Sequence, residues 1–176
     1  MATTWLIDPA HSEVQFKVKH LVISTVTGSF KSFSGSLSVE SDDFNGASIQ
    51  FEAQIESIDT GIEQRDAHLK SDDFFNAASF PTLSFASTKF AKKSDTTYTL
   101  EGNLTIKGVS KSVTLAVEYG GTATDPYGNV KAGFELSGKI NRKDFGLNWS
   151  AVTEAGGVVV SDEVRLLMNI QVAKQA

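Results

Sequence analysis

Residues 97–119 read TYTLEGNLTIKGVSKSVTLAVEY. Tyr98, Leu100, Leu104 and Ile106 alternate with Thr97, Thr99, Glu101, Asn103, Thr105 and Lys107. After the turn signal Gly108-Val109-Ser110 the alternation resumes, with Val113, Leu115, Val117 and Tyr119 on one face. Successive side chains of a strand point to opposite faces, so the pattern predicts two strands with one dry and one wet side. The short connection makes them antiparallel neighbours.

The same period runs outward in both directions. It places Val14, Phe16 and Val18 on one face of 13–21, and Ile49, Phe51, Ala53 and Ile55 on one face of 48–56. Phe134, Leu136 and Ile140 share a face in 133–141, as do Val164, Leu166, Met168, Ile170 and Val172 in 158–172. The pattern is weaker in 26–40 (Phe33, Leu37, Val39) and in 82–90 (Leu83, Phe85). Eight long strands result, with a short one at Trp5–Asp8. Turn signals separate them, among them Phe44-Asn45-Gly46 and Asp125-Pro126-Tyr127-Gly128-Asn129. Strands this long do not suit a sandwich, and closing the sheet removes its edges. The expectation is an all-β, antiparallel barrel of roughly eight strands, a size that packs its own side chains or holds one small ligand.

The chain has 176 residues, which suits one domain over 1–176. Its net charge is −5 and it has no dense basic cluster, which argues against nucleic acid and against an anionic membrane surface. With no cysteine there is no disulfide, thiolate catalysis or cysteine-held metal. His11, His20 and His68 have no metal-ligand spacing, so neither a metal nor another cofactor is expected. No apolar run is long enough to span a bilayer. The N-terminal MATTWLIDPAHSEVQF lacks the basic start and apolar core of a signal peptide. That reads as cytoplasmic, or periplasmic if a leader was removed.

The alternation stops at residues 57–75, SIDTGIEQRDAHLKSDDFF. Thr60 and Glu63 have the spacing of a capping box, and Ser71-Asp72-Asp73 could cap a second turn carrying Phe74 and Phe75. One or two short helices near 60–75 are expected across a barrel end, apolar residues inward and charges outward. Arg65, Asp66 and His68 read either as acid/base chemistry or as a group tying the helix to the rim. KDFG at 143–146 lacks every other kinase element and reads as a turn, with Phe145 packed beneath. No GxSxG elbow is present. Twelve phenylalanines on alternating faces fit a packed core and a dry slot equally well.

The stretches IDPAHSEVQFKVKHL, GSFKSFSGSL, SIDTGIEQRDAHLKSDDFF, FPTLSF, EGNLTIKGVSKSVTL and NRKDFGL, in that order, resemble the YceI-like family of polyisoprenoid-binding, lipocalin-like barrels. The resemblance runs from residue 5 to about 172. It implies a hollow barrel holding a long-chain isoprenoid-like lipid, a possible homodimer, and a carrier with no catalytic residues. The channel lining on this reading is Val14, Phe16, Val18, Phe33, Leu37, Ile49, Phe51, Ile55, Leu83, Phe85, Leu104, Ile106, Phe134, Leu136 and Trp149. Arg65, Asp66 and His68 hold the rim, and Phe74 and Phe75 pack toward the channel. Two other readings remain: an enzyme acting on such a lipid through Asp66 and His68, and a filled barrel serving as a stress-related interaction module.

Overall fold

The computed structural model describes residues 2–20, 23–40, 43–147 and 160–175. In chain order the elements are β1 (Thr3–Ile7), β2 (Glu13–His20), β3 (Ser24–Phe30), β4 (Phe33–Val39), β5 (Ser48–Gln54) and β6 (Ile58–Asp59). Then follow α1 (Glu63–Lys70), β7 (Thr82–Lys92), β8 (Thr97–Ile106), β9 (Val109–Thr124), β10 (Val130–Asn141) and β11 (Val160–Lys174). Every pairing is antiparallel.

The eleven strands make eight staves, because three staves are each broken once. β2 pairs with β3 while β1 pairs with β4, so β1–β2 and β3–β4 are two bent staves side by side. β5 pairs with β4 and β6 with β3, which makes the third. The staves then follow in sequence through β7, β8, β9, β10 and β11. β11 closes the ring, pairing with β2 through its first part and with β1 at Val172–Lys174. An up-and-down barrel is the outcome the alternation predicts.

The three breaks lie next to one another. The first is the 3₁₀ turn Pro9–His11, where proline has no N–H for a ladder and Asp8 accepts the amide of Ala10 at 3.1 Å. The second is Lys31-Ser32 and the third is the 3₁₀ turn Ile55–Ser57. Lys31 N–H donates to Ser57 O at 3.1 Å and Gln54 N–H to Ser32 O at 2.9 Å, so backbone bonds bridge the breaks. The expected single strand over 26–40 is therefore two, and the expected strand over 48–56 turns at Ile55. Residue 21 and residues 158–159, at the ends of two expected strands, lie outside the described residues.

Antiparallel order puts the 60–81 segment, the Lys107–Gly108 turn and the 3₁₀ turn Arg142–Phe145 at one end. Lys107 Nζ donates to Asp72 O at 3.1 Å across that end. The KDFG stretch there is a turn: Gly146 holds φ 79°, and Phe145 is buried beneath it. Phe44 closes the opposite end. Its ring centroid lies 5.3 Å from Trp5, 5.5 Å from Tyr119 and 5.0 Å from Phe134.

Among the described residues no helix is long and apolar enough to cross a membrane. The one α-helix among the described residues departs from expectation in its caps. Ile62 is the N-cap and makes no side-chain cap bond, so the capping box does not form. Thr60 instead donates its N–H and its hydroxyl to Asp66 Oδ1, at 2.8 and 2.5 Å. Ser71 terminates α1, its hydroxyl donating to His68 O at 2.5 Å, and Phe74 and Phe75 follow in a turn rather than a second helix.

Candidate functional site

The barrel interior is hollow. A cavity of about 540 Å³ runs inside the ring, lined by the inward faces of all eight staves. Its volume falls within the range of small-molecule sites. Tight contact holds the wall in place: a Cβ at Gly28 would lie 2.3 Å from the Phe16 ring, and one at Gly102 would lie 2.4 Å from the Phe85 ring. These glycines let a phenylalanine of the neighbouring stave lie flat across them, so the rings pave the wall instead of filling the lumen.

Twelve of the expected lining residues do line the cavity: Val14, Phe16, Val18, Leu37, Ile49, Phe51, Leu83, Phe85, Leu104, Ile106, Phe134 and Leu136. Phe33 and Ile55 do not. Phe33 sits at the second break and packs on Phe51, centroids 6.1 Å apart. Ile55 sits in the third break, where the turn drives it into the wall at 1% exposure. Trp149 lies outside the described residues. The lining also takes in Phe30, Leu100, Leu115 and Val117, together with Val164, Leu166, Met168, Ile170 and Val172 of β11. The alternation had already put the β11 set on one face. Phe44, which closes the far end, carried only a turn signal.

At the helix end polar side chains join the apolar lining. Ile62, Gln64, Arg65, His68, Leu69, Phe74 and Phe75 all border it. Ile62 is 51% exposed while lining the cavity, so the cavity reaches solvent beside α1. The expectation of apolar residues inward and charges outward holds in part: Ile62, Leu69, Phe74 and Phe75 turn to the cavity, but polar residues of α1 do so as well. Arg65 and His68 face the cavity, whereas Glu63 and Asp66 border a separate shallow pocket with Asp59 and Lys70. Asp66 is thus not part of the cavity rim.

Arg65 and Asp66 meet at Thr60 rather than at each other. Arg65 Nε donates to Thr60 Oγ1 at 2.8 Å and Nη2 to Thr60 O at 2.6 Å, while Asp66 takes Thr60's own donors. Thr60 is buried, which makes this the anchor of the helix. His68 Nε2 lies 2.9 Å from Asp73 Oδ2, and its ring meets Phe74 edge-on at 5.1 Å. An acid/base pair of Asp66 and His68 does not assemble, since the two face different pockets.

Arg142 completes the polar lining from the opposite side. It is 3% exposed, donating Nε to Ser161 O at 2.9 Å and Nη1 to Leu147 O at 2.6 Å, with Asp162 Oδ1 at 3.7 Å from Nη2. Burial lowers its pKa from the ordinary arginine value, and the Asp162 charge opposes that. No group of three or more His, Cys, Asp or Glu able to hold a metal occurs among the described residues.

Residues 5–172 match the family described as YceI-like domain. The chain belongs to the YceI-like family. A UPF0312 protein of Yersinia enterocolitica is 37% identical to this YceI-like chain over 161 residues, covering 92% of it and 80% of the relative. The crystal structure of a Campylobacter jejuni YceI protein superposes with a TM-score of 0.76 at 35% identity, covering 90% of each chain. A polyisoprenoid binding domain from Saccharophagus degradans, implicated in plant cell wall breakdown, shares the fold at a TM-score of 0.71 and 17% identity, with 97% and 98% covered.

Proposed function

We propose that this YceI-like chain is a non-catalytic carrier for a long-chain apolar lipid of isoprenoid type, held inside the barrel. The observation that carries the reading is the hollow, almost wholly apolar interior, closed at the Phe44 end and open beside α1. A filled barrel would offer no such space. The polyisoprenoid named for the Saccharophagus domain supports the ligand class.

The energetics select a chain rather than a small apolar molecule. Each buried methylene-sized group contributes about 0.8 kcal/mol, so a five-carbon isoprene unit contributes about 4 kcal/mol. Association costs about 4–15 kcal/mol, so several units must enter before binding is tight. Affinity should therefore climb through geraniol, farnesol and geranylgeraniol and level off once the cavity is full. Phe51→Trp and Leu136→Trp each narrow the lumen and should bring the plateau to a shorter alcohol while the melting temperature holds. Equilibrium dialysis of labelled alcohols reads both effects. Affinity independent of chain length, or unaltered in both variants, would refute the reading.

A further inference from the structure

We infer that the open end of the cavity selects an anionic head group, a carboxylate or a phosphate, and that Arg65 is the residue that reads it. This rests on the carrier reading above and adds the chemistry of the ligand's polar end. Three observations converge.

The first is the sign of the lining. The chain has 21 acidic residues against 16 Lys and Arg, so acids would dominate an unselected polar surface. Among the described residues, the charged and titratable groups lining the cavity are Lys19, Arg65, His68 and Arg142, with no Asp or Glu. The second is the sorting within α1. Over its first turn, Glu63 to Asp66, the helix divides its charges, while Lys70 in its last turn lies on the outer side with the acids. The acids at the two ends of the first turn face the shallow outer pocket, and Gln64 and Arg65 between them face the cavity.

The third is the state of Arg65 itself. It is half-buried, and its guanidinium spends one N–H on Thr60 Oγ1 and one on Thr60 O. A guanidinium has five N–H donors, and both acceptors here are uncharged. The neighbouring carboxylate, Asp66, bonds the same threonine and makes no direct ion pair with Arg65. His68 and Arg142, by contrast, have Asp73 and Asp162 beside them. Arg65 is thus held at the mouth of an apolar cavity by uncharged acceptors, its guanidinium without a direct match from an acid. An anionic head entering with its chain in the cavity supplies that match, and in this partly dry setting the charge-assisted bonds are stronger than in water. A neutral hydroxyl supplies one bond and no charge, and a cationic head is repelled.

The test uses the full chain, stripped of lipid by solvent, in equilibrium dialysis with two matched pairs: farnesyl phosphate with farnesol, and palmitate with hexadecanol. The expected result is that each anion binds at least about tenfold tighter than its alcohol. The pair with the larger ratio tells phosphate from carboxylate. In Arg65→Gln the ratio falls to near one, and in Arg65→Lys most of it returns. Since the ratio compares ligands within one protein, a variant that merely loosens the helix lowers both affinities and leaves it unmoved. If the alcohols bind saturably and as tightly as the anions, the head-group inference is overturned and the carrier reading stands. If no ligand of either pair binds, both fall. If Arg65→Gln does not fold, the wild-type comparison still decides the head-group preference.

Discussion

Single residues carry the interior's shape. Gly102 faces inward on β8, and a Cβ there would meet not only the Phe85 ring but also the Ala86 carbonyl oxygen at 2.6 Å. The ring can swing away; the backbone oxygen cannot. Gly102→Ala should therefore cost about 1–3 kcal/mol in chemical denaturation. Gly133→Ala, where nothing lies within 4 Å of the new Cβ, should change stability by less than about 0.5 kcal/mol. Neither role was legible in the sequence. A glycine in an alternating run says that a side chain is missing, not which ring lies over the gap. Asp8 is a second instance. Lys131 Nζ lies 2.8 Å away and His11 Nδ1 2.9 Å, and these hydrogen bonds, Lys131 first, pull the Asp8 pKa from 3.8 to about 2. A depressed carboxylate stabilises the fold above its unfolded pKa and loses that contribution as pH falls through the folded value. The melting temperature of Asp8→Asn should thus lie below wild type at pH 5, and the gap should close between pH 4 and pH 2.

Among the elements, α1 is the one whose existence the sequence revealed and whose anchoring it hid. Thr60 and Glu63 fit a capping box by spacing, but Thr60 lies two residues before the N-cap Ile62 and binds Asp66 and Arg65 instead. Spacing counts residues along the chain, whereas the bonds depend on where the turn at Gly61 (φ 87°) aims the threonine. The consequence is testable. Thr60→Val keeps the shape and removes the hydroxyl that both donates to Asp66 and accepts from Arg65, which should cost about 1–3 kcal/mol. Thr60→Ser keeps the hydroxyl and should stay within about 0.5 kcal/mol of wild type. Urea unfolding of the two variants reads the difference. The strands behaved otherwise. Their dry faces follow a strict period of two, so β8 and β9 could be paired from the letters alone. The breaks at Lys31-Ser32 and Ile55–Ser57 could not: the buried parity flips across each, from Gly28 and Phe30 to Leu37 and Val39 and from Ala53 and Ile55 to Ile58, and segments this short show the flip only as a weakened pattern.

For the whole molecule, closure into a barrel followed from eight one-sided strands, but hollowness did not. The same phenylalanines that fit a packed core line a cavity here, because Phe16 and Phe85 lie across Gly28 and Gly102 of adjacent staves. Phe44, from a connection that reads only as a turn, closes one end, and α1 leaves the other open with Arg65 and His68 turned inward. The central claim is that this interior holds a long lipid chain. Native mass spectrometry of freshly purified protein, followed by solvent extraction and mass analysis of the released material, tests it most directly. The account predicts a discrete extra mass on the folded chain, released as a long-chain lipid, and its loss or shortening in Leu136→Trp. Bare protein mass, unchanged after incubation with geranylgeraniol, would contradict it.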